Sequence, residues 1–503
     1  MKKTLALALA LLLVAAMSIP AIAEEELTDA YKLTDEPVTI TLVRSDNSNQ
    51  PMLADTLVEQ YIEKYTGVNL EIEAVAGSDF TTKTEIMIAS DNMPDIMYDC
   101  YYVDTYASTG IFLNFADYLD IMPNISALFE QYPDLKNLYI DGALYEIPVL
   151  GYEVYRMGRS AMIRQDLFEE TGMATPTTWD ELYDVLLAIK ENHPDMYPIA
   201  NRNNTANLFT CYAYPFGTGD GVYYEPTKGE YVYGQMSEEF LTLLQWLANA
   251  YADGLLDPDY AVCTSTQWQE RLASGASCFF FDNPSFAVNF NAALAVDNPE
   301  AQFAPMETPA QGETRRSQYY NKHDLGATVV YADTEYPEIV CGLLDFLYSD
   351  VGRDLTNWGL EGQQYEVLED GSKALLPEVI AEFKEASDPW RAFYGSIGAG
   401  KLGLARYIDE YANDAFMDAM TASWYEMWGS WEFMDEPVID PSFTADESEE
   451  LAELKTNVDT VLTAAYDAFI MGERPVEEFT EVQAEIADDC ARICEIYNTA
   501  ANR

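Results

Sequence analysis

The chain has 503 residues and carries 86 acidic against 27 basic side chains, a formal net charge of −59. So acidic a surface repels phosphate backbones and anionic headgroups, which argues against nucleic acid and the membrane surface as partners. It also disfavours small anionic ligands at long range. The length accommodates two or more domains, each with its own core.

The N-terminus opens on Lys2 and Lys3, continues as an apolar run from Leu5 to Met17, and reaches the small-residue site Ala21-Ile22-Ala23 before Glu24, Glu25 and Glu26. This pattern reads as a secretory signal peptide over residues 1–23. The apolar run is shorter than the ~18–20 residues that span a bilayer. Cleavage removes two lysines, so the mature chain 24–503 carries a net charge of −61. No cysteine stands at the cleavage point, so the expectation is an exported protein without an evident lipid anchor. The seven cysteines, at 100, 211, 263, 278, 341, 490 and 494, are odd in number and contain no C-x2-C pair. They read best as small buried residues, with one or two disulfides left open.

In chain order, residues 38–43 alternate as a strand. Leu53, Leu57, Tyr61, Ile62 and Tyr65 give 52–66 a helical stripe that Gly67 can close, and 68–75 alternates again. Strand, helix and strand in succession predict a parallel pair with a crossover helix. A helix over 79–90 and a strand at 95–98 extend this α/β lobe. Thr178 and Glu181 form a capping box ahead of the stripe Leu182, Val185, Leu186 and Ile189. Further helices are predicted over 237–252 and over 337–349, the latter with Pro in its first turn. A second capping box, Thr444 with Glu447, precedes the stripe Val458, Val461, Leu462, Ala465 and Phe469. The C-terminal third is thus largely helical, with Asp446–Glu453 a solvated helix face. No internal repeat or low-complexity linker marks a boundary.

Apparent catalytic motifs dissolve on inspection. Residues 395–401 read GSIGAGK, yet Leu402 stands where a phosphate-binding loop needs Ser or Thr. Gly398, Gly400 and Gly403 match a dinucleotide fingerprint, but far from any first strand. What survives is that a glycine-rich loop flanked by aromatics can bring backbone close to a ligand. The only histidines are His193 and His323. There is no HExxH, no zinc set, no G-x-S-x-G elbow and no calcium loop. No catalytic residue, metal or cofactor is expected. The chain is instead rich in aromatics, with 35 Tyr, 22 Phe and 8 Trp, more than cores alone call for in polar, turn-rich stretches such as Asp99–Tyr102, Tyr319–His323 and Asp388–Arg391. Aromatic faces flanked by Asp, Asn and Arg suit sugar rings and their hydroxyls.

Four segments resemble the extracellular solute-binding proteins of carbohydrate-type ABC importers (family 1), particularly their larger, lipoprotein-like branch in Firmicutes. They are 66–98 (TGVNLEIEAV through PDIMY), 142–186 (GALYEIPV, MIRQDLFEETG, PTTWDELYDVL), 337–366 (PEIVCGLLDFLYSDVGRDLTNWGLEGQQYE) and 469–498 (FIMGERPVEEF through ICEIYN). The chain departs from that branch in lacking a lipobox cysteine.

The resemblance implies a two-lobed, type II periplasmic-binding-protein-like α/β fold with crossing hinge strands and a helical C-terminal region. Lobe 1 is placed at 36–153 plus 325–365 and lobe 2 at 154–324 plus 366–503. A small solute, an oligosaccharide by preference, would be held between the lobes beyond the carboxyl ends of the strands. Hinge closure would then present it to the membrane permease of an ABC importer. Arg44, Ser45, Asp46, Asn47, Tyr98 and Asp99 are the expected lobe 1 contacts. Tyr152, Tyr155, Tyr214, Trp268, Asp282, Asn283, Trp390 and Arg391 are the lobe 2 candidates. Trp358 and Glu361 stand between ligand and structural roles. Trp179, within the capping-box turn, is taken as structural. The protein is expected to be a monomer. The competing readings are a secreted glycosidase, with two carboxyl groups ~5–9.5 Å apart in one cleft, and a cell-surface interaction protein.

Overall fold

The computed structural model describes residues 27–46, 51–149, 157–320, 327–386, 388–399, 402–404 and 412–503. The signal peptide 1–23 and the candidates Asn47, Tyr152 and Tyr155 lie outside the described residues. The chain divides into two units: Met1–Val154 with Lys322–Phe416, and Tyr155–Asn321 with Met417–Arg503.

The first unit opens with β1 (Val38–Asp46), α1 (Leu57–Thr66), β2 (Val68–Ala76), α2 (Gly77–Ala89) and β3 (Ile96–Cys100). α1 starts five residues later than its apolar stripe suggests. The cause is local: Thr56 caps it, and Glu59 reaches back to the Thr56 N–H at 2.8 Å. Gly67 ends it in the left-handed region, φ +79, as a C-cap glycine should. β1 runs parallel to both β2 and β3. Ile40, Leu42 and Val43 are buried on both of its faces, as a central strand requires. β2 buries only Val68 and Val75 and sends Glu71 and Glu73 outward, which marks an edge.

The second unit contributes β4 (Ser160–Arg164), α3 (Trp179–Asn192), the hairpin β5 (Val222–Glu225) and β6 (Glu230–Tyr233), α4 (Glu238–Ala252), α5 (Ser265–Ala273), β7 (Phe279–Asp282), α6 (Phe286–Leu294) and β8 (Phe303–Met306). Its central sheet is ordered β8-β4-β7 and is antiparallel throughout. Trp179 is buried and stacks on Phe216 with ring centres 4.4 Å apart, which is a structural role. Thr178 caps α3, but Glu181 reaches the Thr177 N–H and hydroxyl rather than Thr178.

The chain then returns to the first unit as β9 (Ala327–Val330), antiparallel to β3, giving the order β9-β3-β1-β2. It continues as α7 (Pro337–Tyr348), α8 (Asp350–Asn357) and α9 (Pro389–Ile397). It ends in the second unit with α10 (Ala445–Ile470) and α11 (Phe479–Ala501). These two helices close a core with α3 and α4 around Phe209, Phe240, Tyr466 and Phe479.

One boundary differs from expectation. Residues 366–416, placed with the second lobe from sequence, belong to the first unit. The glycine-rich run is the reason. A Cβ at Gly403 would lie 2.9 Å from the Thr356 hydroxyl, and one at Gly398 would collide with Thr56. Absence of side chains at these points lets the run lie directly on α1 and α8. The close approach foreseen for this loop is therefore made to its own unit. Tyr98 donates to the Leu402 carbonyl at 3.0 Å, and Tyr394 to Asn357 at 3.3 Å, in the same packing. All seven cysteines are free thiols, six of them buried and Cys494 half-buried.

Candidate functional site

In the first unit the chain leaves β1 for β2 on one side and returns to β3 on the other. The carboxyl ends of β1 and β3 therefore flank a topological switch point, where open α/β sheets leave a crevice. Arg44 of β1 and Asp99 of β3 bridge it, with Nε and Oδ2 3.8 Å apart. Arg44 is 3% exposed, and its guanidinium lies 4.5 Å from the centre of the Tyr98 ring.

A β-bulge produces this arrangement. β9 pairs Val329 with Met97 but Ala327 with Cys100, so β3 carries one extra residue. Asp99 adopts φ +54, in the left-handed region that Asp and Asn tolerate better than most residues. The bulge turns Asp99 out to a half-exposed position and Tyr98 inward. Tyr98 is fully buried, so it supports Arg44 from below and offers no face to a solute, which corrects its expected role. Ser45 and Asp46 are half-buried, and Asp46 accepts the Met52 N–H at 2.9 Å. Glu146, which precedes the Ile147 bridge to β9, has its carboxyl pushed up to about 7 by burial and then by Asp104.

Trp358 is buried beside Tyr365, with ring centres 5.8 Å apart, so the structure favours its structural role. Glu361 is exposed in the following turn. Trp390 and Arg391 sit in α9, in the first unit and not the second. Trp390 packs on Tyr394, and Arg391 pairs with Asp388 at 3.4 Å.

In the second unit, β7 ends at Asp282 opposite Ser160 of β4. Arg202 grips the Asp282 carboxylate with Nε at 2.6 Å and Nη2 at 3.0 Å, and the Asn283 N–H donates to the same carboxylate at 2.7 Å. The bond to Asp282 raises the Arg202 pKa further. The guanidinium lies 5.4 Å from the Trp268 and Phe286 ring centres. Trp268 itself is 1% exposed, locked edge-on against Phe280 and Phe290, so it is a core residue and not a solute platform. Beside this end, the Ser160 hydroxyl and the Arg159 Nε are buried without a hydrogen-bond partner among the described residues. Arg159 lies against the Cys211 thiol, and its charge reaches Asp220.

Tyr214 belongs to a separate network. Its hydroxyl donates to Asp435 at 2.6 Å and accepts from Arg316 at 2.8 Å, while Arg316 also pairs with Glu225 at 2.8 Å. Burial alone would raise the Glu225 carboxyl, but Arg316 and Thr227 outweigh it and hold it at about 2. This network floors a groove of ≈ 910 Å³ between the β5–β6 hairpin, the start of α4 and α11. Its buried polar groups are already matched to one another.

Arg159 and Arg202 were missed from sequence. For Arg202 a signal existed: the polar run Asn201-Arg202-Asn203-Asn204 directly follows Ile199, which bridges to Phe279 of β7. Among the described residues, no cluster of His, Cys, Asp and Glu is placed to hold a metal ion.

Two arginine–carboxylate pairs over aromatic rings, each at the end of a central sheet, are suited to binding a polar solute. Comparison with known proteins agrees. The chain is 25% identical over 346 residues to Lipoprotein LipO of Bacillus subtilis, covering 63% of this chain and 67% of LipO. It is 25% identical over 243 residues to the fructooligosaccharide ABC transporter substrate-binding protein FusA of Streptococcus pneumoniae, covering 44% of each chain. The crystal structure of the alginate-binding protein AlgQ2 without calcium ion shares the fold, with a TM-score of 0.76 at 19% identity, covering 94% of this chain and all of that one. The profile of the bacterial extracellular solute-binding proteins matches residues 49–354, more than half of the sequence, and the chain belongs to that family.

Proposed function

We propose that this protein captures an oligosaccharide outside the cytoplasmic membrane and delivers it intact to the permease of an ABC importer. The observation that carries this reading is the pairing of Arg44 with Asp99 at the β1/β3 switch point, over the Tyr98 ring. Guanidinium and carboxylate together offer donors and acceptors to neighbouring hydroxyls of one sugar. Arg202 and Asp282 supply the equivalent set in the second unit. The name of FusA, a fructooligosaccharide-binding protein, supports a glycan as the solute. A ligand that contacts both units favours the closed arrangement by its differential affinity for it.

In this reading the protein binds without covalent chemistry, and the arginine–carboxylate pairs at the two sheet ends serve recognition. The test is thermal unfolding of residues 24–503 against a glycan, peptide and polyamine panel. A bound glycan at ~100 times its dissociation constant adds ~2.7 kcal/mol of stability. The expected result is a raised midpoint with one glycan class and quantitative recovery of that glycan uncleaved. Cleaved glycan would move the protein to the glycosidases. A shift only with peptides or polyamines would remove the sugar.

A further inference from the structure

We infer that Arg159, with Ser160 beside it, forms a subsite for a carboxylate of the solute, so that the captured oligosaccharide bears uronate groups. This rests on the reading of the protein as a glycan-binding protein.

The second unit pairs its arginines with carboxylates, with one exception. Every other described arginine in it, from Arg164 to Arg503, has an ion-pair partner. Arg159 has none among the described residues, in a chain of 86 acidic against 27 basic side chains. The residue is half-buried, and its Nε is buried without a hydrogen-bond partner. The guanidinium lies against the Cys211 thiol, which burial pushes up to about 12 and which is therefore neutral. Asp220 feels the charge of Arg159 only weakly, after burial, Thr210, Gln235 and Asp459. Its carboxylate instead accepts from the Thr210 hydroxyl at 2.7 Å and from Gln235 at 3.1 Å. Leaving a guanidinium in such a setting unmatched costs stability, and an unsatisfied group of this kind points to a partner that arrives later.

Its position is that of a binding group. Arg159 precedes Ser160, the first residue of β4, which lies opposite Asp282, the last residue of β7. Opposite residues of an antiparallel pair share a face. The Ser160 hydroxyl, on a residue 0% exposed and itself unpartnered, therefore stands on the same face of the sheet as Asp282. Arg202 uses Nε and Nη2 on Asp282, which leaves Nη1 for a ligand oxygen. Arg159, Arg202 and Asp282 all act on the Cys211 thiol, so the four groups lie together. Two guanidinium groups thus meet one carboxylate at this strand end. A solute carboxylate supplies the missing negative charge, and its two oxygens can accept from a guanidinium N–H and from the Ser160 hydroxyl at once. A water molecule would satisfy Ser160 but would leave the charge unmatched. The acidic chain repels anions at long range, yet physiological salt screens that field beyond about 8 Å, and inside that distance the two arginines decide.

The experiment uses the processed chain, residues 24–503, immobilised and presented with a mixture of hexuronate-containing, sulfated and neutral oligosaccharides. Captured glycans are eluted and identified by mass spectrometry. Calorimetry then compares the captured glycan with its carboxyl-reduced counterpart. We expect hexuronates to be captured, and reduction of the carboxyl to weaken binding by roughly tenfold or more, as loss of a charge-assisted hydrogen bond does. Capture of neutral glycans only, or equal affinity after reduction, overturns the inference while leaving glycan binding intact. Capture of sulfated glycans alone overturns the carboxylate as the group bound. Capture of nothing overturns the glycan reading itself. This arm needs no variant. A second arm uses Arg159→Gln, whose melting temperature checks the fold. The variant should lose the preference for the uronate over its reduced form. A folded variant that keeps the preference refutes the assignment of the carboxylate to Arg159.

Discussion

Replacing Gly398 with alanine tests the packing of the glycine-rich run on the first unit. Gly398 closes α9 at φ +80, and a Cβ there would lie 2.6 Å from the Thr56 Cβ, with the Thr56 hydroxyl nearer still. Thr56 cannot easily yield, because it is buried and its hydroxyl and N–H are held by Glu59 at the start of α1. Two costs add. A side chain in the left-handed region costs about 1–2 kcal/mol. Overpacking a filled site costs about 1–3 kcal/mol. The first unit should therefore lose about 2–5 kcal/mol, and at about 2–4 °C per kcal/mol its calorimetric transition should fall by about 4–20 °C. Gly371 provides the control. It also has positive φ, +90, yet a Cβ there meets nothing within 4 Å. Gly371→Ala should show the backbone cost alone, about 1–2 kcal/mol. Equal losses in the two variants would mean that the run does not rest on Thr56, and the structural account of residues 395–403 would fail.

Trp268→Ala should cost about 3–5 kcal/mol in the second unit, as a truncated core aromatic does. A variant of near-native stability that loses glycan binding would restore Trp268 as a solute platform. Glu146→Gln should stabilise the protein by about 3 kcal/mol at pH 8 and leave it unchanged near pH 4. The sign follows from a folded pKa raised from 4.5 to about 7: the fold favours the protonated form, and that advantage is lost as pH rises through this window. Melting curves that coincide at pH 8 would contradict it. Burial pushes the thiols of Cys100, Cys211, Cys341 and Cys490 up to about 12. Iodoacetamide at neutral pH should hardly label them in the native protein and should label all seven cysteines in denaturant. Rapid native labelling at several of these sites would refute the burial.

The parallel β1–α1–β2 unit was legible because alternation, a helical stripe and Gly67 follow one another without interruption. The helices begun by Thr178 and Thr444 were legible from their caps. The assignment of 366–416 was not, since a glycine run reads equally well as a ligand loop or as a surface that another helix approaches. Trp268 misled because α5 reads as polar. Of its nine residues only Trp268 and Leu272 are buried, and a single inward aromatic leaves little periodic signal. The Arg44–Asp99 end was found from strand direction, whereas the bulge that aims Asp99 depends on β9, more than two hundred residues later. Arg202 required knowing that Ile199 joins the second sheet.

The interleaving of the two units sets the order in which this protein can be completed during export. The first sheet has β1 to β3 early in the chain but gains β9 only after the whole segment 155–321 has passed. The core of the second unit lacks one wall until α10 and α11, the last helices, arrive. At synthesis rates of about 5–20 residues per second, roughly 10–35 s separate β9 from the final turn of α11. Neither unit can lock before most of the polypeptide exists. Both cores are thereby completed late, whichever unit begins to fold first.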